Sequence, residues 1–211
     1  MKSKLNFNYL IIGIALFNFI ACGHKNSKSD KSDTMIKHEQ NLNDSSDADS
    51  IRLKNLIIKL LNWSETDEAP DFDVLVNSEE DSIYTGIHWE AHKKRLHQLE
   101  KTGFFTNSFL QNYQNIADFL DKELKQNPEK YYAGEIPPYS NDANIWCNCQ
   151  DYPEDWEKTI TIVHLNIDAN TANFQWSWDN ENYYSVKAEK SNCCLWKISY
   201  LEHFDIKSYE W

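Results

Sequence analysis

Hydrophobic positions change period twice along the chain. From residue 51, Ile51, Leu53, Leu56, Ile57, Leu60 and Leu61 recur mostly at spacings of three and four, which places them on one broad helical face, with Asp49 or Ser50 available as a cap. Residues 62–81 are acidic and interrupted by Pro70, and predict a loop pinned by Phe72, Val74 and Leu75. A second helix is predicted over 88–101, with Trp89, His92, Leu96 and Leu99 aligned and Gly103 just beyond its end. The third is the clearest. Phe109, Tyr113, Ile116, Leu120 and Leu124 follow Thr106 and Asn107, two residues suited to capping, and Pro128 closes the run.

After residue 140 the period becomes two. Thr159, Thr161, Val163, Leu165 and Ile167 alternate with Ile160, Ile162 and His164, so both faces of this strand are apolar enough to predict a central position. The next strand sends Phe174, Trp176 and Trp178 to one face; Tyr184, Val186 and Ala188 mark a third strand, and Trp196, Ile198 and Tyr200 a fourth. Short polar turns separate them, which favours an antiparallel meander. Helices followed by such a sheet give an α+β class: three N-terminal helices packed on a curved four-stranded antiparallel sheet, in one domain over 51–211.

Upstream of that domain the pattern is different. Lys2 and Lys4 precede a mainly apolar, uncharged run over 9–21, shorter than the roughly 20 residues a membrane span needs and built like an export signal. Phe19-Ile20-Ala21-Cys22 resembles the lipobox of bacterial lipoproteins, with Phe19 where Leu is usual. That resemblance implies a signal peptide over 1–21, cleavage before Cys22, and lipidation of that cysteine by a palmitate-type acyl chain. Residues 22–50, rich in Ser, Asp, Asn and Lys, then read as a disordered tether. The implied location is the bacterial cell envelope, as an outer membrane lipoprotein joined to the membrane by its lipid anchor. Loss of Lys2 and Lys4 takes the formal charge from −12 to −14. Such acidity argues against nucleic acid as a partner, because phosphates call for a basic surface.

A second resemblance rests on shorter motifs. Pro138-Tyr139-Ser140-Asn141-Asp142-Ala143, then Gln150-Asp151, Trp156 and the late Leu195-Trp196-Lys197-Ile198 are similar to a family of secreted and lipidated proteins of unknown function from Bacteroidetes and proteobacteria. The segment from Thr106 to Phe109 fits the same family. It implies a nuclear-transport-factor-2-like, or cystatin-like, cone with a concave face, and it implies no particular reaction.

With Cys22 assigned to lipid, Cys147, Cys149, Cys193 and Cys194 remain as disulfide candidates. Two cross-links from the first pair to the second are the preferred arrangement, because a bridge within either pair closes a tight ring. A tetrathiolate zinc site lacks the usual two-residue gaps, and a redox dithiol at Cys193-Cys194 lacks a Cys-x-x-Cys helix terminus. His88 and His92 are one helical turn apart, but Trp89 stands where a zinc protease places its glutamate. No metal and no cofactor are expected.

Asp142, Gln150, Asp151 and His164, with Trp176 and Trp178, are the candidate pocket or surface residues. The carboxylates are suited to acid–base work if burial separates their pKa values, His164 to a base, and the tryptophans to a recognition face or to the core. The expected function is a non-enzymatic binding or protein-interaction module with an envelope protein as partner. The alternatives are a small hydrolase or isomerase using a conical pocket, and an immunity or inhibitor lipoprotein.

Overall fold

A computed structural model describes residues 31–66, 72–77, 83–127, 131–132, 144–147 and 149–209, with side chains from residue 47 onward and not at 208. The signal peptide, Cys22 and Asp142 lie outside the described residues. The chain divides into Met1–Glu39 and Gln40–Trp211, and the packing below belongs to the second unit.

Helix α1 runs Lys31–Ser64, twenty residues earlier than the pattern from Ile51 suggests, and so includes much of the stretch read as a tether. Its first half is poor in hydrophobes but holds neither Gly nor Pro, so nothing in it breaks a helix that the second half anchors. Leu53, Ile57, Leu60 and Leu61 are buried, whereas Ile51 is exposed. Asp49 is no cap. It lies within the helix, 3 % exposed, where its carboxylate accepts from Lys190 Nζ at 2.8 Å, Trp196 Nε1 at 3.0 Å and Arg52 at 3.0 Å.

The segment read as a loop holds β1 (Val74–Val76), which pairs antiparallel with β2 (Tyr84–Ile87) just beyond it. Helix α2 (Trp89–Thr102) begins at His88, whose Nδ1 accepts from Ala91 N at 3.2 Å, and stops at Gly103 in the left-handed conformation (φ 69°). Helix α3 (Asn107–Gln126) is capped by Thr106, whose Oγ1 accepts from Phe109 N at 3.2 Å. Its five aligned hydrophobes are all buried, each burial stabilising by roughly 1.5–3 kcal/mol. Close approach to β2 is made possible by Gly86 (φ 142°): a Cβ there would stand 2.6 Å from Asp121 Oδ1, the atom that accepts from Ile87 N.

After a short helix α4 (Trp156–Thr159) come β3 (Thr161–Asp168), β4 (Thr171–Ser177), β5 (Tyr184–Lys190) and β6 (Trp196–Leu201), paired in that order and antiparallel throughout. The α+β class with helices on a four-stranded antiparallel sheet therefore holds. The cystatin-like cone does not, because the sheet is open and β3 and β6 remain its two edges. Nor is β3 central: it is an edge strand with exposed or half-buried side chains throughout.

Two bulges explain where alternation misleads. Val163 pairs with Gln175 and Asn166 with Asn173, so His164 and Leu165 together face Phe174, and His164 takes φ 51°. In β6, Ile198 pairs with Ala188 and Tyr200 with Lys187, which leaves Ser199 over and turns Tyr200 away from the core that Trp196 and Ile198 enter. The tryptophans settle on the core side. Trp176 and Trp178 are buried with Phe174, Val186 and Ala188, and Trp176 stacks on Tyr184 at 4.5 Å.

Candidate functional site

The residues proposed from sequence do not converge. Gln150 and Asp151 are exposed on the loop before α4, and His164 is exposed on β3 beside a depression of about 230 Å³ that also involves Gln175, Ser185, Lys187 and Tyr200. Trp176 and Trp178 belong to the hydrophobic core, so the recognition-face reading of the stripe falls. Next to the exposed loop, Tyr152 packs against Trp178, and its hydroxyl lies 3.1 Å from Ser64 Oγ. Burial pushes its pKa up to about 12, so at neutral pH it stays protonated.

The histidine pair is divided between two tasks. His88 caps α2, while His92 points inward, 1 % exposed, stacked on Tyr113 at 5.4 Å with Nε2 3.0 Å from Gln114 Oε1. Its Nδ1 is buried with no hydrogen-bond partner among the described residues, and burial lowers its pKa. No group of three metal-binding side chains occurs among the described residues.

The preferred cross-links between the two cysteine pairs are absent. Cys147 bonds to Cys149, their Cα atoms 5.2 Å apart, and Cys193 and Cys194 are free and exposed. Backbone contacts within the loop bring the first pair together: Asn144 N donates to Cys149 O at 2.9 Å, and Cys147 N to Asn144 O at 3.2 Å. The tight ring thus closes a loop that inserts Trp146 among Trp63, Phe105, Phe109 and Phe204.

Freed from that role, the second pair lies in a groove of about 610 Å³ between α1, the turn after α2 and the β5–β6 turn. Its walls are mixed. Leu56, Phe104, Leu195 and Trp196 supply apolar surface, Arg52 and Lys59 positive charge, and Cys193 and Cys194 thiols. Arg52 is engaged by Asp49, whereas Lys59 forms no ion pair among the described residues. Leu195 is 63 % exposed, so its side chain is open to a ligand in the groove. The lining contains no carboxylate side chain, although the chain carries a formal charge of −12.

The apolar stripe of α1 borders a polar one, with Leu56 common to both. Arg52, Asn55, Leu56 and Lys59 are spaced three, one and three apart, which aligns them along the helix, and that spacing was the signal available. The thiols were masked by the expectation that they would be oxidised.

Set against protein-family models, curated proteins and solved structures, the chain matches none. The likeness to the secreted and lipidated family therefore rests on its short motifs alone. Among the described residues no helix is long and apolar enough to cross a membrane.

Proposed function

We propose that the chain is a membrane-tethered lipoprotein of the bacterial envelope, held on the outer membrane through Cys22, and that its folded part is a non-enzymatic binding module. The groove between α1 and the β5–β6 turn is the binding site. The observation that carries this reading is the composition of its wall: cationic Arg52 and Lys59 beside exposed Leu195 and half-buried Phe104, without a carboxylate, on a strongly acidic chain. Such a surface suits a ligand that joins an anionic group to an apolar one, since burial supplies affinity and charge supplies orientation.

Anilinonaphthalene sulfonate, an anionic aromatic probe that does not react with thiols, tests the groove. Fluorescence titration of the folded full chain in a non-perturbing detergent should show one saturable site, lost in Lys59→Glu and in Leu195→Asp. Both positions are exposed, so both variants should fold. Unchanged binding in the two variants would remove the groove from consideration.

The anchor is tested separately. Cells fed a clickable fatty acid should label the wild-type chain and leave Cys22→Ser dark, with that variant released from the membrane fraction; equal labelling of both would refute lipidation at this cysteine.

A further inference from the structure

The β5–β6 turn is tied tightly around its thiols. Ser191 N donates to Leu195 O at 2.8 Å, Cys194 N donates to Ser191 O at 2.9 Å, and Cys194 takes φ 61°, in the left-handed region that side chains other than glycine seldom enter. Cys193 Sγ lies 3.1 Å from Ser191 Oγ. That hydroxyl also reaches Leu195 O at 3.0 Å, so its hydrogen can turn to the sulfur when the sulfur carries charge. Ser191, the backbone N–H groups of Leu195 and Cys193, and the charge of Lys197 all favour the thiolate, so the Cys193 pKa lies below its ordinary value. Cys147 and Cys149 are already joined to each other.

Resting on the groove as a binding site, we propose that Cys193 is a thiol–disulfide exchange site for a small disulfide that bears carboxylates. Lys59 on the facing helix supplies the charge that receives a carboxylate, and Phe104 and Leu195 enclose the rest. In the exchange, the Cys193 thiolate attacks one sulfur of the disulfide. A new S–S bond joins Cys193 to that sulfur, the original S–S bond breaks, and the other half departs as a thiolate that takes up the proton Cys193 gave up. One disulfide is consumed and one is formed, so no further oxidant is needed. The thiol is exposed, as approach along the S–S axis requires.

The full chain, with its Cys147–Cys149 bond intact, is treated with oxidised glutathione or, in parallel, with cystamine, a disulfide carrying amines in place of carboxylates. Intact mass and peptide mapping follow the adduct with time. The expected result is one half-glutathione on Cys193, retained in Cys194→Ser and absent in Cys193→Ser. Lys59→Glu should slow glutathione about tenfold and should not slow cystamine. Three results would overturn the proposal: modification at Cys194 first, a Cys193 rate no faster than that of Cys194, or rates indifferent to Lys59. Titration of Cys193→Ser with anilinonaphthalene sulfonate separates the two readings. Retained probe binding with no exchange in the wild type would sink the exchange alone, whereas loss of the Lys59 and Leu195 dependence of probe binding would sink the groove.

Discussion

Asp49 is a buried carboxylate at the seam between α1 and the last two strands. An aspartate before an apolar helical run usually caps it, yet here it is an internal residue whose carboxylate joins α1 to Lys190 on β5 and Trp196 on β6. Lys190 also stands 4.8 Å over the Trp196 ring, so one ammonium is held by a carboxylate and an aromatic face together. Burial by itself would raise the Asp49 pKa, but the bonds from Lys190, Trp196 and Arg52 outweigh it and hold the group below its ordinary 3.8. Asp49→Asn keeps the shape and leaves Lys190, which is 20 % exposed, without its counter-charge. The expected loss is about 3 kcal/mol, measured by urea denaturation. Asp49→Asn combined with Lys190→Met should recover part of it, and a single variant as stable as wild type would show that the pair contributes nothing.

At the scale of elements, α2 and α3 were legible because they obey local rules that packing reinforces. Thr106 caps, Gly103 terminates, and the apolar residues of α3 meet the core at the spacing that the sequence displays. Three features were hidden for physical reasons. The β1–β2 pair is only three and four residues long, too short for a period of two to stand out from Phe72, Val74 and Leu75. The bulges at His164 and Ser199 insert one residue each, and an inserted residue reverses every later assignment of faces along the strand. The third is the disulfide. Partners two residues apart depend on whether a turn forms at Asn144, which neither spacing nor parity of cysteines discloses. Of the candidate site, the residue types were visible, but their meeting was not, since Lys59 and Cys193 are brought together only by the docking of α1 against the last hairpin.

For the whole molecule, acid is the most informative perturbation. His92 is buried and His203 half-buried with its Nε2 enclosed, and the loss of solvent lowers the pKa of each below the ordinary 6.5. The unfolded chain therefore takes up these protons at a higher pH than the folded chain does. Their contribution is complete above 6.5 and is lost as pH falls towards the folded values. Asp49, also depressed, behaves in the same direction lower down: its contribution is complete above 3.8 and is lost as pH falls through its folded value. Urea midpoints should thus decline in two stages on acidification. His92→Phe, which can keep the stack on Tyr113, should flatten the upper stage in part, and Asp49→Asn the lower. A midpoint that stays level from about pH 7 to about pH 5 would contradict the upper assignment.

The openness of the sheet bears on how neighbouring copies tolerate one another. At one margin, β6 is occupied: Ile198 N donates to Phe104 O at 2.7 Å and Thr106 N to Ile198 O at 2.9 Å, so the α2–α3 connection runs alongside it. At the other, β3 has β4 alone as partner among the described strands, and an unoccupied ladder is a template on which another chain can grow. The kink at His164 interrupts that template in mid-strand. Wherever copies crowd together, the misaligned backbone of a single histidine works as an insulator between molecules.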